Sequence, residues 1–357
     1  MASKQFNVAV IGYGLSAKIF HIPFVTTTPG LKLYAVVQRH PKPEDDAEKD
    51  HPGIKSYRSA EEMVKDPAVD LVIVSTTPNI HFEQTKLALE AGKHVVVEKP
   101  FCSTSKECDE LIAIAKKNQK LLTVYQNRRW DADFLTLSKL IKEGKFGRIV
   151  DFETHFDRHR PEAKTGTWKN EPIPGGGVIY DLGTHLIDQV VVTFGLPKKI
   201  TAFIEGKRSH NETNFEDSFT ALLHYDGGLV ATAKASVISP EVNQLRYWIR
   251  GEKGGYKKFH LDCQESQLRK GIFPDNAAYA KEPSELWGTL TTAEGDKITS
   301  EVYPTIEGES YSTYYSIIAK ALAGQGDVPV KPEEASSVIR LIELAQESSK
   351  TGKTLTV

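Results

Sequence analysis

Residues 7–17 read Asn-Val-Ala-Val-Ile-Gly-Tyr-Gly-Leu-Ser-Ala, and this stretch decides how the rest of the chain is interpreted. An apolar run leads into the pattern Gly-x-Gly-x-x-Ala, which is typical of a strand that turns into a helix. Gly12 permits the tight turn, Gly14 lets the backbone approach a pyrophosphate, and Ala17 lets the helix pack on the strand. The pattern also occurs in turns that bind nothing, so its context decides between the two interpretations.

Strands and helices alternate through the first third of the chain. Apolar segments with the length of buried strands occupy residues 8–11, 31–37, 71–75, 94–97 and 121–125. Helix signals separate them, including the capping boxes that start at Ser59 and Thr104, and Pro23 should kink or split the first helix. This alternation predicts a doubly wound, parallel Rossmann sheet, whose ligands bind at the carboxyl ends of the strands. The glycine turn, Arg39, residues 76–81 and Lys99 all fall at such ends.

The end of the second predicted strand bears on the choice of cofactor. NAD-selective sites carry an acid there for the ribose 2'-hydroxyl, whereas this chain has Gln38 and Arg39. A guanidinium is suited to a 2'-phosphate, so Arg39 favours NADP(H), with NAD(H) as the alternative cofactor. Arg39 could also be an ordinary surface arginine.

The pattern changes after Tyr125. Segments near residues 150–156, 218–225, 229–237 and 245–249 alternate apolar and polar residues, as half-exposed antiparallel strands do. We therefore predict a Rossmann domain over residues 1–126. Residues 127–357 should form a C-terminal α+β domain with a large, mostly antiparallel open sheet. A broad open sheet of this kind is a common subunit interface, so we expect a homodimer or homotetramer.

Bulk composition excludes several classes of partner. The 357 residues carry 45 Lys and Arg against 47 Asp and Glu, a formal charge of −2, which favours neither nucleic acid nor an anionic membrane. No apolar run approaches the roughly 20 residues of a membrane span. The three cysteines have neither disulfide-framework nor zinc-site spacing, so we expect reduced thiols in a cytoplasmic protein and no metal.

A second chemically distinct segment begins with three glycines at residues 175–177. The predicted helix that follows carries Asp181, His185 and Asp188 on one face, because they are spaced by about one turn. A carboxylate one turn from a histidine can set its tautomer and raise its basicity. A satisfied polar cluster on a helix surface is the alternative interpretation.

Four stretches together resemble the glucose-fructose oxidoreductase, inositol dehydrogenase and rhizopine-catabolism family. They are residues 12–17, residues 77–81, the run from Ala91 through Glu98-Lys99-Pro100, and residues 181–185. The resemblance spans nearly the whole chain, and residues 125–131 and 180–189 are most similar to the bacterial NADP-dependent scyllo-inositol dehydrogenases of that family.

The resemblance implies roles for individual residues. Lys99 would hydrogen-bond the reacting oxygen, His185 would exchange its proton, and Asp181 would orient the site. The implied cofactor contacts are Gly12, Tyr13, Gly14, Leu15, Ser16, Arg39, Thr76, Thr77, Asn79, His81, Glu98, Lys99 and Asn127. Arg128, Trp168 and Tyr180 are the candidate substrate contacts.

The function that we expect is an NADP(H)-dependent interconversion of a secondary alcohol and a ketone on a cyclic polyol or sugar, with inositol and inosose favoured. Two alternatives stay open. One is an aldose or anhydro-sugar reductase. The other is a regulator that senses the dinucleotide without turnover, although such a sensor has no need of both Lys99 and His185.

Overall fold

The computed structural model describes residues 5–162, 172–208 and 215–357. The chain forms two compact units. Unit 1 comprises residues 1–127, 264–280 and 310–336, and unit 2 comprises residues 128–263, 281–309 and 337–357. The first change of unit lies one residue from the predicted division at 126/127. Nothing in the sequence indicates that the two later segments belong to unit 1, because they join it only when the chain folds.

Unit 1 contains a parallel sheet of six strands. Its strands are β1 (Phe6–Ile11), β2 (Leu31–Val37), β3 (Lys55–Tyr57), β4 (Leu71–Val74), β5 (His94–Val97) and β6 (Leu122–Val124). Their order is β3-β2-β1-β4-β5-β6, and every neighbouring pair is parallel. β4 is buried along its whole length, as its apolar run requires. The predicted Rossmann sheet is confirmed, including the bounds of β2.

Helices connect these strands and continue into the second half of the chain. The α-helices are α1 (Ile22–Thr27), α2 (Ala47–Asp50), α3 (Ala60–Met63), α4 (His81–Glu90), α5 (Ser105–Lys117), α6 (Ala132–Lys142), α7 (Thr184–Phe194), α8 (Gln264–Arg269), α9 (Tyr311–Leu322) and α10 (Pro332–Thr351). Thr104 and Glu107 form the predicted capping box at the start of α5. None of the described helices is long and apolar enough to cross a membrane.

The segment after the glycine turn is helical in two pieces. A π-helical turn covers Ala17–His21, and α1 follows with Pro23 in its first turn. Proline lacks the amide proton that a continuous helix would use at this position. The change of helix type beside Pro23 agrees with the split that the sequence predicts.

Unit 2 contains a sheet of nine strands. Its strands are β7 (Ile149–His155), β8 (Lys199–Glu205), β9 (Ser218–His224), β10 (Val230–Ser236), β11 (Leu245–Gly251), β12 (Gly254–Phe259), β13 (Gly288–Glu294), β14 (Lys297–Tyr303) and β15 (Leu355–Thr356). Their order is β14-β13-β12-β11-β7-β10-β9-β8-β15; among the described residues, β7 and β10 pair in parallel and the other neighbouring pairs are antiparallel. The mostly antiparallel second sheet is therefore confirmed. Tyr247 and Ile249 lie on its buried face, whereas Trp248 and Arg250 lie on the opposite face.

Candidate active site

The glycine turn joins β1 to the first helix, and its two glycines have different reasons to be there. Gly12 has φ +98°, and a Cβ atom on it would lie 2.3 Å from the Ser75 carbonyl oxygen, so the fold itself requires glycine. A Cβ atom on Gly14 would meet no described atom within 4 Å. Gly14 and its neighbour Leu15 are exposed. This open surface fits a pyrophosphate, which needs close approach to the backbone.

Tyr13, between the two glycines, is buried. Its hydroxyl donates to Asp50 Oδ2 at 2.7 Å, and Lys18 Nζ lies 4.4 Å from its ring centroid. Burial, followed by the contact with Asp50, raises the pKa of Tyr13 above its usual range. The Tyr13 side chain is therefore held by the short α2 segment.

Two arginines lie at the carboxyl ends of neighbouring strands. Arg39 is exposed two residues after β2, and Arg58 follows β3 directly. Arg58 Nη1 donates to Ser56 Oγ at 2.6 Å and to the Gln38 carbonyl oxygen at 3.4 Å. The Gln38 side chain is buried and donates to the Asp45 carbonyl oxygen at 2.7 Å. The end of β2 thus presents guanidinium groups and no carboxylate of its own.

The predicted cofactor residues after β4 take several positions. Thr76 and Thr77 are half-buried, Asn79 is exposed, and Asn127 is buried at the end of the first segment of unit 1. His81 is fully buried, with Nδ1 2.8 Å from the Pro100 carbonyl oxygen. Burial lowers the pKa of His81. Its imidazole therefore connects the loop after β4 to the loop after β5.

Glu98 and Lys99 follow β5 directly. The Glu98 carboxylate accepts from Ser16 Oγ, from His21 Nε2 at 3.0 Å and from the backbone N–H of Lys99 at 2.9 Å. Burial opposes ionisation of Glu98, but its contacts with His21 and Ser16 outweigh burial and lower its pKa to about 2. Lys99 itself is half-buried. The sequence identified Glu98 and Lys99 but missed His21, whose only signal is its place four residues after Ala17.

In unit 2, the segment with Tyr180, Asp181 and His185 begins with a π-helical turn, Ile179–Gly183, and continues as α7. Tyr180 and His185 are buried, and Asp181 is half-buried. Gly183 is packed closely, because a Cβ atom on it would lie 2.9 Å from Ile179 Cγ1 and 3.2 Å from the Phe219 ring. Close packing against the sheet therefore fixes the start of the helix that carries His185.

Glu216 stands beside the glycine loop that leads into this helix. A Cβ atom on Gly177, which has φ +91°, would lie 2.3 Å from Glu216 Oε1. Burial raises the pKa of Glu216 to about 7, although a hydrogen bond from the Ile179 N–H acts in the opposite direction. This carboxyl group is not apparent from the sequence, which offers no local reason to connect it with residues 175–179.

Buried polar contacts hold α7 one turn beyond His185. Gln189 Oε1 accepts from the Tyr247 hydroxyl at 2.8 Å and from Arg246 Nη2 at 3.1 Å, and its Nε2 donates to the Arg128 carbonyl oxygen at 2.8 Å. The Asp188 carboxylate accepts hydrogen bonds from Nε and Nη2 of Arg129. The sequence motif contained Asp188 and Gln189, but their partners come from a distant strand and from the segment before α6.

The predicted substrate residues differ in their surroundings. Arg128 is buried, with its guanidinium 4.8 Å from the Phe156 ring centroid and 3.3 Å from Asp131 Oδ2. Trp168 lies outside the described residues. In the described ranges, no three His, Cys, Asp or Glu side chains form a group that could hold a metal ion.

Two family models match the chain. The first, described as the NAD-binding Rossmann fold of an oxidoreductase family, matches residues 6–126. The second, described as the C-terminal alpha/beta domain of that family, matches residues 138–357. The matched ranges cover the glycine turn and Lys99 in the first and Asp181 and His185 in the second.

Individual proteins are similar over almost the whole length. An oxidoreductase of Schizosaccharomyces pombe is 38% identical over 362 residues, which is 98% of each chain. The scyllo-inositol 2-dehydrogenase (NADP(+)) of Bacillus subtilis is 38% identical over 349 residues, 98% of this chain and 95% of its own. A solved oxidoreductase structure from Bacillus subtilis matches with a TM-score of 0.93 at 37% identity and covers 99% of both chains.

Proposed function

This chain belongs to the GFO/IDH/MocA oxidoreductase family, and from that membership we propose that it is an NADP(H)-preferring enzyme that interconverts a secondary alcohol and a ketone on inositol or a related cyclic polyol. The family establishes an oxidoreductase with a nicotinamide dinucleotide cofactor. The observation that carries the choice of NADP(H) is Arg39, exposed at the end of β2 where no acid stands.

The chemistry at β2 supports this preference. A 2'-phosphate needs cationic donors, and the always-charged, planar guanidinium supplies them in a geometry that matches phosphate oxygens. Arg58 emerges from the next strand and is held at the Gln38 carbonyl, which brings a second positive charge to the same strand ends. An acid at this position would instead repel the phosphate and favour the free ribose hydroxyl.

We assign the reacting groups residue by residue. A bound nicotinamide supplies the hydride chemistry. Oxidation of the alcohol also releases the hydroxyl proton, which His185 accepts, and the Lys99 ammonium stabilises negative charge that develops on the oxygen. Asp181 orients this site, and Tyr180 and Arg128 remain proposed substrate contacts. In ketone reduction, His185 returns the proton to the oxygen.

The substrate proposal rests on the relative that is named a scyllo-inositol 2-dehydrogenase (NADP(+)) and matches 98% of this chain. The experiment is a spectrophotometric assay of NADPH and NADH oxidation with scyllo-inosose, myo-inosose, 1,5-anhydrofructose and a set of aldoses. We expect the highest kcat/KM for an inosose with NADPH. Faster turnover of the anhydro-sugar or an aldose would replace the inositol assignment with a sugar reductase.

A non-catalytic dinucleotide sensor is the alternative from another class. Such a protein would bind NADPH and turn over none of these ketones or their alcohols. Titration of NADPH fluorescence on the same preparation separates the two outcomes, because binding without any turnover would support the sensor.

We also propose that the open face of the nine-stranded sheet joins two or more copies of the chain. Phe203, Trp248 and Val302 share this face according to the strand register, and Val302 is 64% exposed. Exposed apolar side chains on a broad sheet are typical of a subunit interface. Light scattering should give a dimer or tetramer, and V302D should shift it towards monomer; a monomeric wild type contradicts this proposal.

A further inference from the structure

His21 is a buried titratable residue to which the proposed chemistry assigns no role. It ends the π-helical turn that follows the glycine turn, and its side chain is 0% exposed. Its ring lies 4.5 Å from the Tyr125 ring, centroid to centroid. An imidazole enclosed in this way is held by its polar contacts, since neither nitrogen can turn to water.

Both ring nitrogens have partners within unit 1. Nε2 lies 3.0 Å from Glu98 Oε1, and Nδ1 lies 2.5 Å from the Tyr315 hydroxyl oxygen on α9. An ionised carboxylate can only accept, so Nε2 carries a proton and donates it to Glu98. In a neutral ring, Nδ1 then accepts from Tyr315. The two contacts fix both the tautomer and the direction of the ring.

The Glu98 carboxylate joins three segments of the proposed cofactor and reaction site. His21 donates to one side of it, Ser16 from the glycine turn donates to the same oxygen, and the Lys99 N–H donates to Oε2 at 2.9 Å. Glu98 therefore connects the turn assigned to the pyrophosphate with the backbone of the residue assigned to the reacting oxygen. Ser16 and His21 reach this carboxylate with their side chains, and the His21 imidazole is also held at Nδ1 by the Tyr315 hydroxyl.

We propose that His21 is a positioning residue, which holds the Glu98 carboxylate and thereby sets the Lys99 backbone against the glycine turn. The inference rests on the proposed role of Lys99. Burying an ionised carboxylate with a polar partner is costly compared with apolar packing, so stability alone gives little reason for the pair. The proposed reaction does give a reason for the His21–Glu98 pair, because it depends on the placement of the Lys99 ammonium group to within about 1 Å.

Two substitutions separate positioning from packing. In H21Q the amide nitrogen can occupy the place of Nε2 and still donate to Glu98. In H21N the amide lies near Nδ1, so it can reach Tyr315 but not Glu98. Y315F is the matched control, because it removes the far partner and leaves the contact with Glu98.

The measurements are kcat and KM for scyllo-inosose with NADPH, the NADPH dissociation constant from fluorescence, and the melting temperature. A further readout on the protein alone is the acetic anhydride acylation rate of Lys99 relative to Lys86, by peptide mass spectrometry. We expect H21N to lower kcat by about 10- to 100-fold, because a displacement of about 1 Å at a reacting group can cost about 100-fold in rate. KM and NADPH affinity should change little, Lys99 acylation should rise, and H21Q should recover most of kcat.

Three results would overturn the inference. One is an unchanged kcat and unchanged Lys99 acylation in H21N. Another is equal loss of kcat in H21N and H21Q, which would mean that the donor to Glu98 is irrelevant. The third is loss of kcat in Y315F as large as in H21N at a matched fall in melting temperature. A wild type without turnover on any ketone contradicts the proposed function instead, and Lys99 acylation then still tests the His21–Glu98 link.

Discussion

Arg129 and Asp188 form a bidentate ion pair: Nε lies 2.8 Å from Oδ2, and Nη2 lies 2.7 Å from Oδ1. The Asp188 side chain is 2% exposed and that of Arg129 11% exposed. Asp188 stands three residues after His185 on α7. The pair therefore fixes the helix on which the proposed proton-transfer residue lies.

Arg129→Ala should destabilise the protein by about 3–5 kcal/mol, because it leaves the buried Asp188 carboxylate without its charge partner. The free energy of unfolding of Arg129→Lys should lie between those of the wild type and Arg129→Ala, since lysine keeps the positive charge but cannot form the two parallel hydrogen bonds to the carboxylate. The measurement is urea unfolding followed by circular dichroism. Arg250→Ala breaks the exposed pair with Asp151 and is the control, with an expected cost below about 1 kcal/mol. Equal costs at the two sites would contradict this prediction.

Arg39→Ala should weaken NADPH binding by about 10- to 100-fold, which corresponds to the loss of charge-assisted hydrogen bonds to phosphate. NADH binding should stay nearly unchanged. Fluorescence titration of both cofactors checks this, with the exposed Arg340→Ala as a charge-matched control. Arg58→Ala should produce a smaller loss in the same direction. Equal affinity of the wild type for both cofactors would remove the basis of the NADP(H) assignment.

Lys99→Met should keep NADPH binding and lower kcat by about 10²- to 10³-fold, the usual cost of losing a donor to a developing oxyanion. Methionine retains much of the apolar length of lysine, so local packing should be little changed. Rates with scyllo-inosose and cofactor affinities should be measured on one preparation, beside the exposed Lys106→Met. Near-normal turnover in Lys99→Met would contradict a role at the reacting oxygen and leave Lys99 as a cofactor contact.

His185→Asn should lower turnover by about 10²- to 10⁴-fold, the usual contribution of a general acid or base. Asp181→Asn should cost less, because it disturbs orientation and leaves the imidazole in place. In the wild type, alcohol oxidation should rise with pH as the histidine becomes neutral and able to accept a proton, and ketone reduction should fall over the same limb. If His185→Asn keeps both the titrating limb and high turnover, another group carries the proton.

Glu216 should make the protein less stable as the pH rises. Its pKa of about 7 in the folded state lies above the ordinary value of about 4.3, so the folded protein retains a proton that the unfolded chain has released. Stability from this group is present below about pH 4 and is lost as the pH rises to about 7, by up to about 3 kcal/mol. Glu216→Gln should therefore unfold at higher urea than the wild type at pH 8 and match it at pH 4.5. Glu241 is exposed, so Glu241→Gln should leave the urea midpoint unchanged at both pH values. A difference in midpoint between Glu216→Gln and the wild type that does not depend on pH would disprove this linkage.

The sequence by itself determined that a parallel sheet forms from the first third of the chain and that a mostly antiparallel sheet follows it. The reason is that these signals are local: a glycine at positive φ, a proline without an amide proton, and an apolar run of strand length each act within a few residues. β2 and the glycine turn with its required Gly12 were predictable for this reason. The strand ends also located Arg39 and Lys99, because parallel strands bring their carboxyl ends to one edge.

Only the tertiary structure decided which groups meet these residues. His21 and Tyr315 are 294 positions apart, and Arg246 and Asp133 are 113 positions apart. The tertiary structure alone also decides that residues 264–280 and 310–336 join unit 1. A buried charge selects its partner through packing and desolvation, and no periodicity along the chain encodes that choice. The local sequence therefore placed Glu98 and His185 on their elements, and the folded chain supplied the contacts that hold those elements in position.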